Sequence, residues 1–215
     1  DGICGHRGGS YPGARGRTAG AVPLKVAVVT GNANKAREVA VFFSGVFEVE
    51  HVALTCPELR HADVGEIARG KAEFAYRALS RPLITDDTGL FVDALNGFPG
   101  SYAAYVHDTI GNAGVLKLME GVEDRNARFE TAIAFAREDG IRVFRGILSG
   151  TIVTPRGEEG FGYDPIFEHD GRTLAEIPLA EKSRISHRAR ALDAFRAWVE
   201  REIGGDRTVN MRKHE

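Results

Sequence analysis

The chain has 215 residues, of which 43% are hydrophobic and 27% charged, and its formal net charge is −2. This length suits one α/β domain, and the near-neutral charge argues against the large basic field that attracts nucleic acid or anionic membranes. No apolar run approaches the roughly 20 residues that span a bilayer, and two cysteines, Cys4 and Cys56, form no disulfide framework or zinc pattern. We therefore expect a cytoplasmic protein that binds neither nucleic acid nor membrane.

Both ends of the chain are polar. Residues 1–23 are rich in glycine and arginine and have no hydrophobic period, which predicts a disordered N-terminal extension. Residues 204–215 predict a loose C-terminal tail. The folded domain is expected between them, over residues 24–203.

A strand, a turn and a helix open the predicted domain. Residues 24–30 form a β-branched apolar run, and Val39, Phe42 and Phe43 give the following segment one apolar face. The turn between them, residues 30–35, reads Thr-Gly-Asn-Ala-Asn-Lys and leads into a helix N-terminus, where backbone N–H groups favour anions. Similar caps are common without any ligand, so this motif predicts a phosphate loop only together with other signals.

The next predicted elements are a strand at residues 47–54 and a helix at residues 66–79. The apolar stripe of this helix is expected at Ile67, Phe74 and Ala78, and the spacing puts Lys71 on the same stripe. Lys71 then either extends past the core into water or directs its charge into a cleft.

Two adjacent aspartates, Asp86 and Asp87, follow the apolar run at residues 82–85, which predicts a strand that ends at them. They fit an ordinary solvated turn. They also fit a metal site, since α/β folds carry their chemistry at the carboxyl ends of strands. Because successive strand residues face opposite sides, only one of the two carboxylates needs to face a cleft.

A helix is expected at residues 111–121, followed by an alternating strand at residues 127–136 and its antiparallel partner at residues 142–153. The alternation predicts a half-buried strand and a mixed sheet. A final amphipathic helix is predicted over residues 185–202, with Ser186 as its N-cap. Its apolar stripe consists of Ile185, Leu192, Phe195 and Val199.

Two further segments carry candidate binding residues. In the loop at residues 158–168, Phe161 and Tyr163 alternate with glycine and aspartate, so these aromatic rings either stack on a base or fill the edge of the core. At the start of the last helix, cationic side chains favour an anionic or carbonyl-bearing ligand, or form a solvated basic face. These side chains belong to Lys182, His187 and Arg188.

Four blocks in series resemble the inosine/xanthosine triphosphate pyrophosphatases: VVTGNANKAREV, DDTGLFVDALNGFPGSYAAYV, GFGYDPIF and AEKSRISHRARAL. The resemblance runs from Lys25 to Phe195. It implies a two-lobed mixed α/β fold with flanking helices and the active-site cleft between the lobes. It also implies a homodimer and Mg²⁺-dependent hydrolysis of ITP, dITP and XTP to the monophosphate and pyrophosphate.

The resemblance also implies a role for individual residues. Asp87 matches the general base and metal ligand, with Thr88 beside it and Asp86 as a supporting carboxylate. The triphosphate loop comprises Thr30, Gly31, Asn32, Ala33, Asn34 and Lys35. The other substrate-binding residues are Lys71 and Lys182, the base-binding loop Phe161, Gly162, Tyr163 and Asp164, and the purine-recognising pair His187 and Arg188.

Two positions depart from the family pattern. The second metal carboxylate fits Glu58 best, with Asp63 as the alternative. The family's usual arginine or lysine after the Gly-x-Tyr motif is missing, because this chain has Ala103, Ala104 and Tyr105. That loss is the best support for a nucleotide-binding module without turnover. A related pyrophosphatase for modified pyrimidine or methylated bases is a further alternative, against which the Ser-His-Arg block argues.

Overall fold

The computed structural model describes residues 25–44, 48–57 and 59–211, with side chains described between residues 26 and 202 of those ranges. The N-terminal extension predicted at residues 1–23 and the candidate metal ligand Glu58 lie outside the described residues. In the described part of the chain, no helix combines the length and the hydrophobicity that crossing a membrane requires.

Strands and helices alternate through the first half of the domain, and a long hairpin dominates the second. The strands are β1 (Lys25–Val29), β2 (Glu48–Val52), β3 (Leu83–Val92), β4 (Pro99–Gly100), β5 (Asn126–Arg137), β6 (Gly140–Ile152), β7 (Phe167–His169) and β8 (Arg172–Thr173). The α-helices are α1 (Ala33–Phe42), α2 (Val64–Leu79), α3 (Ala103–Leu118), α4 (Leu179–Ile185) and α5 (His187–Met211). Short 3-10 helices occupy Asp93–Leu95, Asp164–Ile166 and Leu174–Glu176.

All of these strands belong to one mixed sheet. Its order is β2-β1-β3-β5-β6-β7-β8, and β4 pairs with β3 off this path. The strand β1 pairs in parallel with β2 and β3, whereas the other pairs are antiparallel. The predicted mixed α/β fold with flanking helices is therefore confirmed.

Helices cover both faces of the sheet. Helix α2 packs on one face through a row of alanines, and α1 and α5 pack on the other face through Val39, Phe43 and Phe195. A third cluster joins α3 to the far half of β3 and to β7. The strand β5 is consequently buried on both faces from Thr131 to Ala136, so its predicted half-buried alternation holds only for residues 126–130.

The predicted inward stripe of α2 is also wrong at two of its three positions. Phe74 is 38% exposed and Ala78 is exposed, whereas Ala68, Ala72 and Ala75 are fully buried. The small alanine side chains let the helix lie close to the sheet, so they form the buried face although larger apolar residues stand nearby. Lys71 directly precedes Ala72 and lies at the edge of this face.

The strand β3 does not end at Asp86 and Asp87, as the sequence predicts, but continues to Val92. Its pairing with β5 runs through both aspartates, which lie opposite Ile133 and Ala132. The pairing of β1 with β3, in contrast, ends at Thr85. The aspartates therefore lie just beyond the carboxyl end of β1, where one side of β3 loses its neighbour.

The last helix begins as predicted and ends later. The Ser186 hydroxyl accepts a hydrogen bond from the Ala189 N–H at 3.1 Å, which confirms it as the N-cap of α5. Leu192, Phe195 and Val199 of the predicted stripe are buried, whereas Ile185 is the last residue of α4 and is half-buried. The helix continues to Met211, into the segment predicted as a loose tail, since each residue added to an existing helix gains a hydrogen bond without the cost of a new nucleus.

Candidate functional site

A cleft of about 1100 Å³ opens at the carboxyl ends of β1 and β2 and beside the aspartates of β3. Its other walls come from α2, the start of α3, the loop before β7 and the start of α5. The predicted site residues that the structure describes line this cleft, except Ala33, the first residue of α1, and the alternative metal ligand Asp63. Residues from separate parts of the sequence therefore meet in one place.

The loop from Thr30 to Lys35 forms the floor of the cleft beside β1. The Asn32 carboxamide oxygen accepts hydrogen bonds from the N–H groups of Asn34 and Lys35, at 2.9 and 3.3 Å, and caps α1. The Asn32 N–H donates to the Thr30 hydroxyl at 3.1 Å. Three of the N–H groups expected to bind phosphate are thus already bonded within the loop. The space around the Cα atom of Gly31 is open.

Asp87 faces α2 and is bonded there by one oxygen. Lys71 Nζ donates to Asp87 Oδ1 at 2.7 Å. The second oxygen, Oδ2, is buried and has no hydrogen-bond partner among the described residues. Burial raises the pKa of the Asp87 carboxyl, and the nearby charges of Lys71 and Lys35 offset this only in part. A buried carboxylate oxygen without a donor is an acceptor available to a cation or to water.

Asp86 faces the opposite side of β3 and lies among cations. Its Oδ2 atom lies 3.1 Å from Lys35 Nζ and 3.1 Å from Arg188 Nη2. Burial alone would raise the pKa of Asp86, but the charges of Lys35 and Arg188 outweigh it and hold the pKa below its ordinary value. The two neighbouring aspartates therefore differ in ionisation because of what each side of the sheet presents to them.

Glu38 on α1 also belongs to the site, a role that the sequence motifs do not predict. It is buried, it lies 2.8 Å from Lys182 Nζ, and its other oxygen accepts from Arg188 Nη1. These cations outweigh its burial and lower its pKa. A sequence signal existed, since Glu38 follows Lys35 by three residues and therefore shares its helix face.

Arg188 is buried and has almost all of its donors in use. Besides its bond to Glu38, its Nε and Nη2 atoms donate to Asp86, and Nη2 also donates to the Thr88 hydroxyl at 3.2 Å. Of the five N–H donors of the guanidinium, one on Nη1 has no bond to the described residues. Arg188 therefore has at most one hydrogen to offer a ligand while its carboxylate partners remain in place.

The two aromatic residues of the loop before β7 lie in different surroundings, one at the cleft and one in the core. Phe161 is half-buried at the cleft, and Lys182 Nζ lies 4.9 Å from its ring centroid. Tyr163 is buried in the core and donates its hydroxyl to the Ala103 carbonyl at 2.8 Å, so it fills the edge of the core.

Gly160 and Gly162, on either side of Phe161, adopt φ values of +78° and +65°, which favour glycine. Asp164 fastens this loop by accepting bonds from the Phe161 N–H at 2.7 Å and from Lys182 Nζ at 2.6 Å. The glycines and Asp164 together fix the position of the Phe161 ring.

His187 is held as a neutral ring. Its Nδ1 atom is 2.6 Å from the Thr131 hydroxyl, which also lies 2.7 Å from the Thr88 hydroxyl, and its ring stacks on Phe129 at 4.6 Å. Burial, together with the charges of Arg188 and other cations, holds the pKa of His187 well below its ordinary value. At neutral pH it therefore orients neighbours without contributing charge.

Of the two candidates for the second metal carboxylate, Glu58 lies outside the described residues and Asp63 is already occupied. Asp63 caps α2 by accepting from the Gly65 N–H at 2.6 Å, and Arg145 Nη2 donates to both of its oxygens at 2.6 and 2.8 Å. No group of three or more potential ligands forms a metal cluster among the described residues. The structure thus disfavours Asp63 and leaves Glu58 as a prediction.

Cys56 is half-buried and lines the cleft. Its thiol donates to the Lys71 carbonyl at 3.7 Å, which ties the segment after β2 to the helical turn that carries Lys71. Burial raises the pKa of the thiol, although the charge of Lys71 lowers it in part. The thiol is consequently protonated at neutral pH and makes a structural contact.

The chain resembles known proteins in both sequence and structure. A model of the Ham1 family matches residues 26–198. A protein of Methanopyrus kandleri named dITP/XTP pyrophosphatase is 46% identical over 187 residues, which cover 85% of this chain and 100% of that protein. A protein of Methanothermobacter marburgensis with the same name is 47% identical over 180 residues, covering 81% of this chain and 96% of its own.

Solved structures resemble the whole domain. The Ham1 protein of Staphylococcus aureus superimposes with a TM-score of 0.73 at 32% identity, over 83% of this chain and 99% of that one. A HAM1 protein from Coxiella burnetii gives a TM-score of 0.71 at 30% identity, over 82% of this chain and 98% of its own.

Proposed function

The chain belongs to the Ham1 family, and on that premise we propose that it hydrolyses ITP, dITP and XTP to the monophosphate and pyrophosphate. This activity would remove deaminated purine nucleotides from the nucleotide pool. The observation that carries the proposal is the position of Asp87, a buried carboxylate with one unbonded oxygen, between the loop at Lys35 and the loop at Phe161. One cleft therefore offers sites for phosphates, for water and for a base.

The residues present fit a bound Mg²⁺. Asp87 Oδ2 is a buried oxygen without a hydrogen-bond partner among the described side chains, and carboxylate oxygen is the ligand that Mg²⁺ prefers. We propose Asp87 and Glu58 as its protein ligands. When bound, the ion supplies positive charge to the phosphate oxygens and makes water more acidic.

In the proposed mechanism, Asp87 is the general base. A water molecule attacks the α-phosphorus, the bond from that phosphorus to the bridging oxygen breaks, and pyrophosphate leaves. The proton of the water passes to the Asp87 carboxylate, whose raised pKa makes it a better proton acceptor than an exposed aspartate. Lys71 keeps the carboxylate oriented, and Lys35 and Lys71 stabilise the charge that develops on the phosphates.

Base selection is proposed to come from the other end of the cleft. Phe161 offers a ring on which a purine can stack. Hypoxanthine and xanthine carry an acceptor at O6, whereas adenine carries an amino donor at the same position. The remaining N–H of Arg188 can pair with O6 but would face a donor in adenine. A buried mismatch of this kind discriminates strongly between substrates.

Two wider properties are also proposals. The family resemblance supports a homodimer, which light scattering on the purified protein tests directly. A cytoplasmic location is supported by the scarcity of cysteine, and fractionation of the source cells tests it.

The decisive experiment is a turnover panel with ITP, dITP, XTP, GTP and ATP, in Mg²⁺, with pyrophosphate and the nucleoside monophosphate both quantified. We expect ITP and XTP to be hydrolysed at similar rates and far faster than ATP, which lacks the O6 acceptor. GTP should also be slow, because its 2-amino group needs a partner or space that a closed pocket edge would deny. Equal turnover of all five would indicate a general nucleotide pyrophosphatase. If none of the five is hydrolysed but modified pyrimidine or methylated nucleotides in a second panel are, the chain is one of the related pyrophosphatases. Tight ITP binding without any product would indicate a binding module.

A further inference from the structure

The charged side chains that surround the proposed phosphate path largely neutralise one another. Four of the lysines and arginines near the proposed phosphate site each form an ion pair with at least one neighbouring carboxylate, and together these side chains form one ion-pair group. The group contains the cations Lys35, Lys71, Lys182 and Arg188 and the carboxylates Glu38, Asp86, Asp87 and Asp164. Four formal positive charges therefore face four negative ones, and this group alone brings no net positive charge to a triphosphate.

Helix α3 does not supply the missing charge. The residues that its first turn presents to the cleft are Ala103, Ala104 and Tyr105. His107 also lines the cleft, but its Nδ1 atom lies 3.7 Å from a carboxylate oxygen of Asp108. A triphosphate carries several negative charges, of which one divalent cation offsets two, so a further cation would strengthen binding.

Several lysines and arginines line the cleft. Among those that the structure describes, Arg60 alone has no carboxylate partner in the described part of the chain. It is exposed and makes no hydrogen bond to the described chain. It lies in the segment between β2 and α2, which two contacts hold over the cleft. The Ser101 hydroxyl donates to the His61 carbonyl at 2.6 Å, and Cys56 bonds to the turn that carries Lys71. The backbone beside Arg60 is therefore anchored while its side chain remains available.

We propose that Arg60 binds the outer two phosphates of the substrate, which become the pyrophosphate that leaves. This inference rests on the proposed function. The segment that carries Arg60 is attached to the Lys71 end of the ion-pair group, whereas Phe161 and Lys182 lie at the other end, where the base is proposed to bind. Arg60 lines the same cleft as Lys71, and its planar guanidinium suits bidentate contact with phosphate oxygens.

The test compares Arg60→Ala and Arg60→Lys with Arg77→Ala. The control removes the same charge from an exposed arginine that pairs with Glu73 at the far end of α2. Two quantities are measured in Mg²⁺: kcat/KM for ITP, and the affinity for inorganic tripolyphosphate by calorimetry. Inosine monophosphate binding is measured alongside, because that ligand lacks the outer phosphates.

We expect Arg60→Ala to lower both quantities by about tenfold or more, the size of a charge-assisted hydrogen bond, without changing monophosphate binding. Arg60→Lys should recover part of the loss, and Arg77→Ala should match the unaltered protein. Folding should survive, since Arg60 is exposed, and thermal unfolding verifies this.

Equal behaviour of Arg60→Ala and Arg77→Ala in both measurements would overturn the assignment while leaving the proposed function intact. If the unaltered protein does not hydrolyse ITP, the proposed function fails, and the tripolyphosphate titration still decides the role of Arg60. Absence of tripolyphosphate binding to the unaltered protein would also overturn it.

Discussion

Replacing Asp86 and Asp87 with asparagine, one at a time, should have opposite effects on stability although the two residues are adjacent. The structure predicts this because their pKa values shift in opposite directions: that of Asp86 is lowered and that of Asp87 is raised. A carboxyl whose pKa is lowered on folding stabilises the fold when ionised, and one whose pKa is raised destabilises it at neutral pH.

Asp87→Asn should leave the free energy of unfolding at pH 7 unchanged or increased, since it removes a buried carboxylate that is poorly compensated. Because the pKa of Asp87 is raised on folding, its protonated carboxyl favours the folded state when the pH is below the pKa of the unfolded chain. This contribution disappears as the pH rises through the pKa of the folded protein. Turnover of ITP should nevertheless fall by about two orders of magnitude or more, the usual effect of losing a general base.

Asp86→Asn should destabilise the protein by about 3 kcal/mol, because it leaves the buried Arg188 with Glu38 as its one remaining carboxylate partner. Because the pKa of Asp86 is lowered on folding, the ionised carboxylate contributes its full stabilisation of the fold well above about pH 3.9, the ordinary pKa of aspartate. That contribution is lost as the pH falls through the folded pKa, so the difference from the unaltered protein should shrink in acid.

Urea unfolding at several pH values, with circular dichroism as the signal, measures both free energies, and a pyrophosphate assay measures turnover. If Asp86→Asn changes stability by less than about 0.5 kcal/mol, the size of an ordinary surface substitution, the ion pairs described above do not support the fold. If Asp87→Asn retains activity within a few-fold, Asp87 is not the base.

Four other outcomes are expected. Lys35→Ala should weaken ITP binding and slow turnover. The control is Lys117→Ala, which alters an exposed lysine on α3 and should change neither quantity. If both substitutions have equal effects on ITP kinetics, the loop at residues 30–35 does not bind phosphate. Arg188→Ala should lower ITP turnover and narrow the gap to ATP, and an unchanged ratio of the two rates would refute its role in base selection. Chelation with EDTA should abolish activity, and added Mg²⁺ should restore it. The rate of ITP hydrolysis should also rise from pH 7 upwards. A flat pH–rate profile, with the chemical step rate-limiting, would count against activation of water by the metal ion.

Local patterns in the sequence predict most of the fold and nearly all of the cleft wall. The strand, turn and helix at residues 24–43, the hairpin β5–β6 and the Ser186 cap depend on neighbours in sequence, and each is present in the structure. The order of four motifs along the chain also predicts which residues meet, although Lys71 and Asp87 are 16 residues apart.

Packing and long-range charge determine what these patterns miss. Glu38 resembles any solvated acid on an amphipathic helix until the fold brings Arg188, 150 residues later, against it. The exposure of Phe74 follows from how closely three alanines let α2 approach the sheet, which helical periodicity does not encode. The extension of β3 past its two aspartates likewise depends on the register of β5, a partner more than 40 residues away.

The buried ion pairs around Glu38 also determine how the site responds to heat. Burying Lys182 and Arg188 removes the ions from water, and the hydration free energy of ions becomes less favourable as temperature rises. The penalty for dehydrating these groups therefore decreases on warming, while the attraction between the paired charges remains. Heating thus favours the paired arrangement relative to solvated ions, and the geometry of the cleft is expected to persist at temperatures where solvent-exposed segments around it have already loosened.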